Sequence, residues 1–250
     1  MKRIIVFANQ KGGVGKTTCA INLAASYAEI NKNTLIIDLD PQGNATTGLG
    51  IDKRSLSSST YELLVTKEFV EPIDTDIENL KIICSHPDLA GAEIELVDDT
   101  DRNLKLRKKL ENYSNFDVII IDTPPSLGIL TINGLAAARD LIITMQAEFY
   151  ALEGLSMIIN TYERIKSRLN PELNLLGIIV NMFMQRLVVS NEVLNDLRLH
   201  FKNKVFKTII PRSVRVVESQ SFGKPMITFD PRSVVSNAFR ELLQEIEKNV

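Results

Sequence analysis

The residues that could do chemistry begin at position 9, with Asn9-Gln10-Lys11-Gly12-Gly13-Val14-Gly15-Lys16-Thr17-Thr18. They follow an apolar run, Ile4 to Ala8, and precede a helix-like stretch, Cys19 to Ala25. Strand, glycine-rich loop, then helix is the order a phosphate-binding loop needs. Glycines let successive backbone N–H groups converge on phosphate oxygens, and the helix end adds its positive dipole. Lys16 supplies a point charge that stabilises a transferring phosphoryl group, and the Thr17 hydroxyl can ligate Mg²⁺. The pattern reads as a nucleoside triphosphate site. It departs from the common loop in having Gln10 where a glycine usually stands, and in carrying a second lysine, Lys11.

Carboxylates that could serve this loop stand at the ends of two apolar runs, Thr34 to Asp38 and Asp117 to Asp122. Helical spacing of Ile21, Ala24, Ala25 and Ala28 between the loop and Thr34 predicts strand–helix–strand, hence a parallel pair. Ligands collect at the carboxyl ends of parallel strands, which is where Asp38, Asp40 and Asp122 then lie. Asp122, opposite Thr17, could accept hydrogen bonds from Mg²⁺-bound water and position the ion without stripping its hydration shell. Further strands are expected at 80–84, 141–145, 175–181 and 205–210. Helices are expected at 88–96, 103–110 and 131–138, in a long stretch ending near Leu169, and at 233–249. Residues 45–60 and 72–78 read as exposed connections.

Composition narrows the class. At 250 residues with 44% hydrophobic and 24% charged, the chain can bury a full core and reads as one domain, 1–250. A net charge of −2 excludes a global polyanion binder. Cys19 and Cys84 stand in unrelated contexts, so neither a disulfide framework nor a metal-ligand spacing is offered, which fits a reducing cytoplasm. The apolar runs are too short for a signal peptide or a membrane span. One local imbalance stands out. Between positions 197 and 217 the chain carries Arg198, Lys202, Lys204, Lys207, Arg212 and Arg215 with no acidic residue. Such a patch suits phosphate contacts that ignore base sequence, with Lys204, Lys207, Arg212 and Arg215 as candidate DNA contacts, or a merely solvated basic face. Phe201 and Phe206 read as core residues.

The Lys11-Gly-Gly-x-Gly-Lys-Thr loop resembles the deviant P-loop of the ParA/MinD group. The resemblance continues through Asp38-Leu39-Asp40-Pro41-Gln42-Gly43-Asn44, Asp122-Thr123-Pro124-Pro125, residues 148–155 and Ser221-Phe222-Gly223-Lys224-Pro225. The chain is identified as a member of the short ParA/Soj-type partition ATPases. That implies an α/β fold: one domain with a mostly parallel, twisted sheet flanked by helices on both faces. No helix–turn–helix extension is expected before the loop, which argues against operator-specific repression.

By the same resemblance, Lys11 acts in trans on a partner's nucleotide, Asp40 activates the attacking water, and Asp38 lies near the metal. Asn181 and Pro211 contact adenine, and Arg186 and Arg215 contact DNA. The cofactors implied are ATP and Mg²⁺. The partners implied are a second copy of the chain on ATP binding, non-specific double-stranded DNA and a ParB-type protein, with the protein cytoplasmic and nucleoid-associated. The rival within the group is a MinD-like ATPase acting on membrane. MinD proteins end in a basic amphipathic helix, whereas Arg240 to Lys248 here holds three glutamates against two cations.

Overall fold

The computed structural model describes residues 2–148 and 151–248. Phe149 and Tyr150, inside the motif expected at 148–155, and Asn249, at the end of the expected closing helix, lie outside them. Strands β1 (Arg3–Ala8), β2 (Thr34–Asp38), β3 (Ile73–Asp74), β4 (Leu80–Ile83), β5 (Val118–Asp122), β6 (Asp140–Gln146) and β7 (Asn174–Asn181) form one sheet, ordered β3-β4-β2-β5-β1-β6-β7. Every pairing is parallel except β3 with β4.

The strands read as continuous apolar runs because both faces are covered, and successive side chains point to opposite faces. Ile5 and Phe7 of β1 and Ile36 of β2 enter one core, together with α1 (Lys16–Glu29), α2 (Asn44–Gly48), α10 (Met226–Phe229) and α11 (Val234–Lys248). Val6, Ala8, Leu35 and Ile37 enter the other. There they meet α3 (Thr60–Val65), α4 (Leu89–Glu95), α5 (Lys105–Lys109), α6 (Ile129–Ala137), α7 (Ala151–Arg168) and α8 (Val188–Phe201). Short α9 (Val214–Ser221) precedes α10. The apolar stripe of α11, Phe239, Leu242, Leu243 and Ile246, is fully buried in the same core as α1, so it is a packing face.

Three expectations differ from the structure. The connection expected to be exposed over 45–60 opens inside α2, where Ala45 and Thr46 are fully buried because they pack under the end of β2. The acidic stretch after Pro72 contains an unexpected antiparallel edge, β3, only two residues long. The strand expected at 205–210 does not form. Phe206 N–H donates to the Ile178 carbonyl and Ile210 N–H to the Val180 carbonyl, so four residues here span two of β7 and the ladder cannot continue. Between them the Glu245 carboxylate accepts the N–H groups of Lys207 and Thr208 at 2.7 and 3.0 Å, drawing the segment towards α11.

Phe206, buried in this segment, lies over Gly177 of β7. A Cβ at Gly177 would sit 2.6 Å from the Phe206 ring and 3.1 Å from the Lys204 carbonyl oxygen. Overpacking of this kind costs about 1–3 kcal/mol. Gly177→Ala is therefore expected to lower the urea midpoint with an unchanged m-value, measured by equilibrium denaturation.

Candidate functional site

The loop of residues 9–15 leaves β1 at the carboxyl edge of the sheet and enters α1 at Lys16. Gly15 is the N-cap of α1 with φ 86°, and a side chain there would collide with the Asn181 amide, so both backbone and space require glycine. Gly12, Gly13, Gly15, Lys16, Thr17 and Thr18 line a cleft of about 450 Å³. Its far wall holds Asp40, Gln42, Asn44 and Thr47, and Pro125, Met182 and Gln220 close the sides. Val14 is buried, and its carbonyl accepts from Asn181 Nδ2 at 3.0 Å.

The carboxylates converge because their strands are neighbours. Asp38 and Asp122 are register partners across β2 and β5, and Asp122 also faces Phe7 of β1, which leads into the loop. Both carboxyl residues are fully buried. Asp38 is well supplied with donors: one oxygen accepts from Asp40 N–H at 3.2 Å, the other from Thr46 N–H at 2.9 Å and the Thr46 hydroxyl at 2.8 Å. Asp40 accepts from Gln42 N–H at 3.0 Å, and both lie on the connection from β2 to α2.

Neither oxygen of Asp122 has a hydrogen-bond partner among the described residues, although the nearby Thr17 hydroxyl favours its charged form. Burial pushes Asp122 well above the usual carboxylate range, and the Asp38 charge adds to this while Lys16 opposes it. Burial likewise pushes Asp38 up to about 6 against the pull of its hydrogen bonds. Burial lowers Lys16, and the charges of Asp122 and Asp40 resist that. A buried anion without donors beside the Thr17 hydroxyl fits the hydration shell of Mg²⁺ better than it fits an empty apolar core.

Lys11, unlike Lys16, is absent from the lining of its own cleft. Its ammonium pairs with Glu148 at 2.6 Å, and both side chains are about half exposed (43% and 50%). Asn181 Oδ1 accepts from Met182 N–H, so its amide braces the loop from outside. Pro211 bridges to Phe183, which places it beside the end of β7.

The basic residues do not share one surface. Arg186 and Arg212 are exposed beyond the carboxyl end of β7, with Arg212 N–H on the Phe183 carbonyl. Lys204 instead donates to the Leu175 carbonyl near the start of β7, about 20 Å away along the strand at roughly 3.3 Å per residue. Lys207 is exposed near α11. Arg215 pairs with Glu218 and Asp230 and stacks on the Phe229 ring, 4.8 Å from its centre.

Sequence reasoning missed Thr46, which clamps Asp38, and two amides that hold the loop. Gln146 Nε2 donates to the Gly13 carbonyl at 2.9 Å, and Gln220 Nε2 to the Thr18 hydroxyl at 2.8 Å. No spacing signals them, since they come from the end of β6 and from α9. Thr123, flanking Asp122, ties its strand end to the Phe7 carbonyl at 2.7 Å.

A phosphate loop between β1 and α1, facing buried carboxylates across the carboxyl edge of a parallel sheet, defines a P-loop nucleoside triphosphatase. Comparison with known proteins narrows this further. A family model described as an AAA domain matches residues 2–175. The chain is 46% identical over 252 residues to the sporulation initiation inhibitor protein Soj of Bacillus subtilis, with 100% of both chains covered. It is 45% identical over 249 residues to the chromosome partitioning protein ParA of Myxococcus xanthus, covering 98% of this chain and 88% of the other. Among solved structures, cobyrinic acid a,c-diamide synthase from Mycobacterium smegmatis with bound ATP analogue and magnesium has a TM-score of 0.88 at 34% identity, covering 98% and 93%. The chain belongs to the ParA/Soj family of chromosome-partitioning ATPases.

The raised carboxyls carry a stability consequence. A group moved from 3.8 to about 6 on folding, as Asp38 is, favours the folded state while protonated. That contribution is complete below 3.8 and is lost as pH rises through about 6. Asp122 acts in the same direction, with burial and the Asp38 charge outweighing the Thr17 hydroxyl and Lys16. Asp122→Asn is thus expected to raise the melting temperature of the nucleotide-free protein at neutral pH, by roughly 2–4 °C per kcal/mol gained. It should also flatten the loss of stability between mildly acidic and neutral pH. Thermal denaturation across that range checks both, and a lower melting temperature at neutral pH would show that the Lys16 attraction outweighs burial.

Proposed function

We propose that this chain is an ATP-dependent DNA partition protein whose ATP-bound form is a face-to-face dimer on double-stranded DNA, released when a ParB-type partner stimulates hydrolysis. The observation that carries the proposal is the position of Lys11. Lys16 stands in its own cleft, whereas Lys11 is exposed, lies outside the lining of that cleft and, among the described residues, pairs with a half-exposed carboxylate. A surface ion pair of this kind is worth less than about 1 kcal/mol, so Lys11 is readily redirected to a second copy's phosphates. The highest identities reported above, 45–46%, are with Soj and ParA proteins and extend over at least 98% of this chain. The diamide synthase matches the fold at lower identity.

In this reading the loop N–H groups of residues 12–18, together with Lys16, hold the phosphates, and Asn181 and Pro211 lie on the adenine side. Mg²⁺, when bound, neutralises charge on the phosphate oxygens. Thr17 and Asp122 would hold it, Asp122 through water, while Asp38, its oxygens engaged by Asp40 and Thr46, contributes a fixed negative charge at longer range. Asp40 orients a water for attack on the γ-phosphorus. The bond from that phosphorus to the β–γ bridging oxygen breaks, giving ADP and inorganic phosphate. Arg186 and Arg212, with Arg215 behind its carboxylate partners, meet DNA phosphates. The apolar stripe of α11, Phe239, Leu242, Leu243 and Ile246, packs in the core, which counts against a membrane-surface reading of that helix.

Three measurements test the proposal. Asp40→Ala is expected to cost about 10²–10⁴-fold in turnover, the usual worth of a positioned proton acceptor. Lys11→Ala is expected to be inactive alone, yet mixing it with Asp40→Ala should restore turnover that neither has, because a mixed dimer holds one cleft with both groups. No restoration would mean that Lys11 serves its own cleft. Binding to an arbitrary-sequence duplex should require ATP rather than ADP and fall steeply with salt. Arg186→Ala or Arg212→Ala should reduce the log–log salt slope by about 0.9 each. Arg215→Ala should weaken binding less, since Glu218 and Asp230 already offset its charge. Salt-insensitive binding, or none with ATP, would remove the DNA role.

A further inference from the structure

Helix α9 carries Arg215 near its start and Gln220 near its end. Gln220 and Thr18 both line the nucleotide cleft, and the Gln220 amide donates to the Thr18 hydroxyl at 2.8 Å. A hydroxyl has one proton and two lone pairs. Gln220 occupies a lone pair, and among the described residues no acceptor takes the proton. That proton is left for an acceptor inside the cleft, which is the chemistry of a phosphate oxygen.

The same end of α9 makes a second contact with the site. Gly223, with φ 62°, lies just past the helix, and a Cβ there would sit 2.6 Å from the Cα of Gly50. Gly50, itself at φ 80°, follows α2, the helix whose Thr46 is clamped by Asp38. Two backbones without side chains pack directly, so the turn after α9 is seated on the segment that follows Asp40. One end of α9 therefore touches both sides of the cleft: the first turn of α1 through Gln220, and the end of α2 through Gly223, which also lies against the Thr47 carbonyl.

We infer that Gln220 is a positioning residue of the nucleotide site, aiming the Thr18 hydroxyl at a phosphate oxygen and coupling occupancy of the cleft to the placement of α9. The inference rests on the ATP reading of the cleft and not on the DNA reading. Linkage is reciprocal, so whatever α9 binds shifts nucleotide affinity by the factor with which nucleotide shifts its own.

The test uses the full chain with Mg²⁺ and a fluorescent ATP analogue. Gln220→Ala removes one neutral hydrogen bond and is expected to weaken binding about 3–10-fold. Gln220→Glu keeps the shape but accepts instead of donating, turning the Thr18 proton away from the cleft beside a new negative charge, and should weaken binding further. Hydrogen exchange then separates positioning from mere packing. ATP should slow exchange of the α9 amides in the wild type. In Gln220→Ala that slowing should be lost while slowing in α1 persists. The inference is overturned if Gln220→Ala binds the analogue as tightly as the wild type, or if ATP protects α9 equally in both. Failure of the wild type to bind ATP would overturn it together with the nucleotide reading. Absence of duplex binding with an intact α9 response would overturn the DNA reading alone.

Discussion

Asp40 and Asp122 are buried near one ammonium, Lys16, with Asp38 beside them at the carboxyl edge of the central strands, and the arrangement of the cleft follows from how that charge is managed. Carboxylates out of water need donors or cations. Asp38 meets the need with three donors and in doing so fixes the start of α2 and the backbone of Asp40. Asp122 has only the nearby Thr17 hydroxyl and the charge of Lys16 to set against its burial.

The phosphate loop is held from its outer side. The carbonyls of Gly13 and Val14 accept amide hydrogen bonds from Gln146 and Asn181, at the ends of β6 and β7. With those carbonyls satisfied by the scaffold, the N–H groups of the loop remain for an anion, and the loop is shaped before any ligand arrives. Pre-shaping of this kind lowers the entropy lost on binding. Lys11 is the exception: among the described residues its ammonium is held by an exposed ion pair with Glu148 rather than by the scaffold.

Charge at the protein surface is organised by the sheet rather than by sequence order. The cations between positions 197 and 217 read as one patch along the chain, but the segment runs parallel to β7, placing Lys204 at its start and Arg212 past its end. Arg186 joins Arg212 from a separate loop. Arg215 is held by Glu218 and Asp230, which lie outside the acid-free stretch.

The sequence by itself determined the parts whose physics is local. The glycine-lysine-threonine loop, the apolar strands Thr34 to Asp38 and Val118 to Asp122 with their terminal carboxylates, and the helix after Lys16 are each specified by contiguous residues, and each stands where its pattern placed it. Only the tertiary structure decided what depends on partners far along the chain. Val205 to Ile210 has the composition of a strand, yet the Glu245 carboxylate takes its N–H groups. Gln146 and Gln220 are ordinary polar residues until folding brings them against Gly13 and Thr18. A single hydrogen bond between residues two hundred positions apart leaves no periodicity or spacing to read, because its geometry is set by the packing of the elements that carry it.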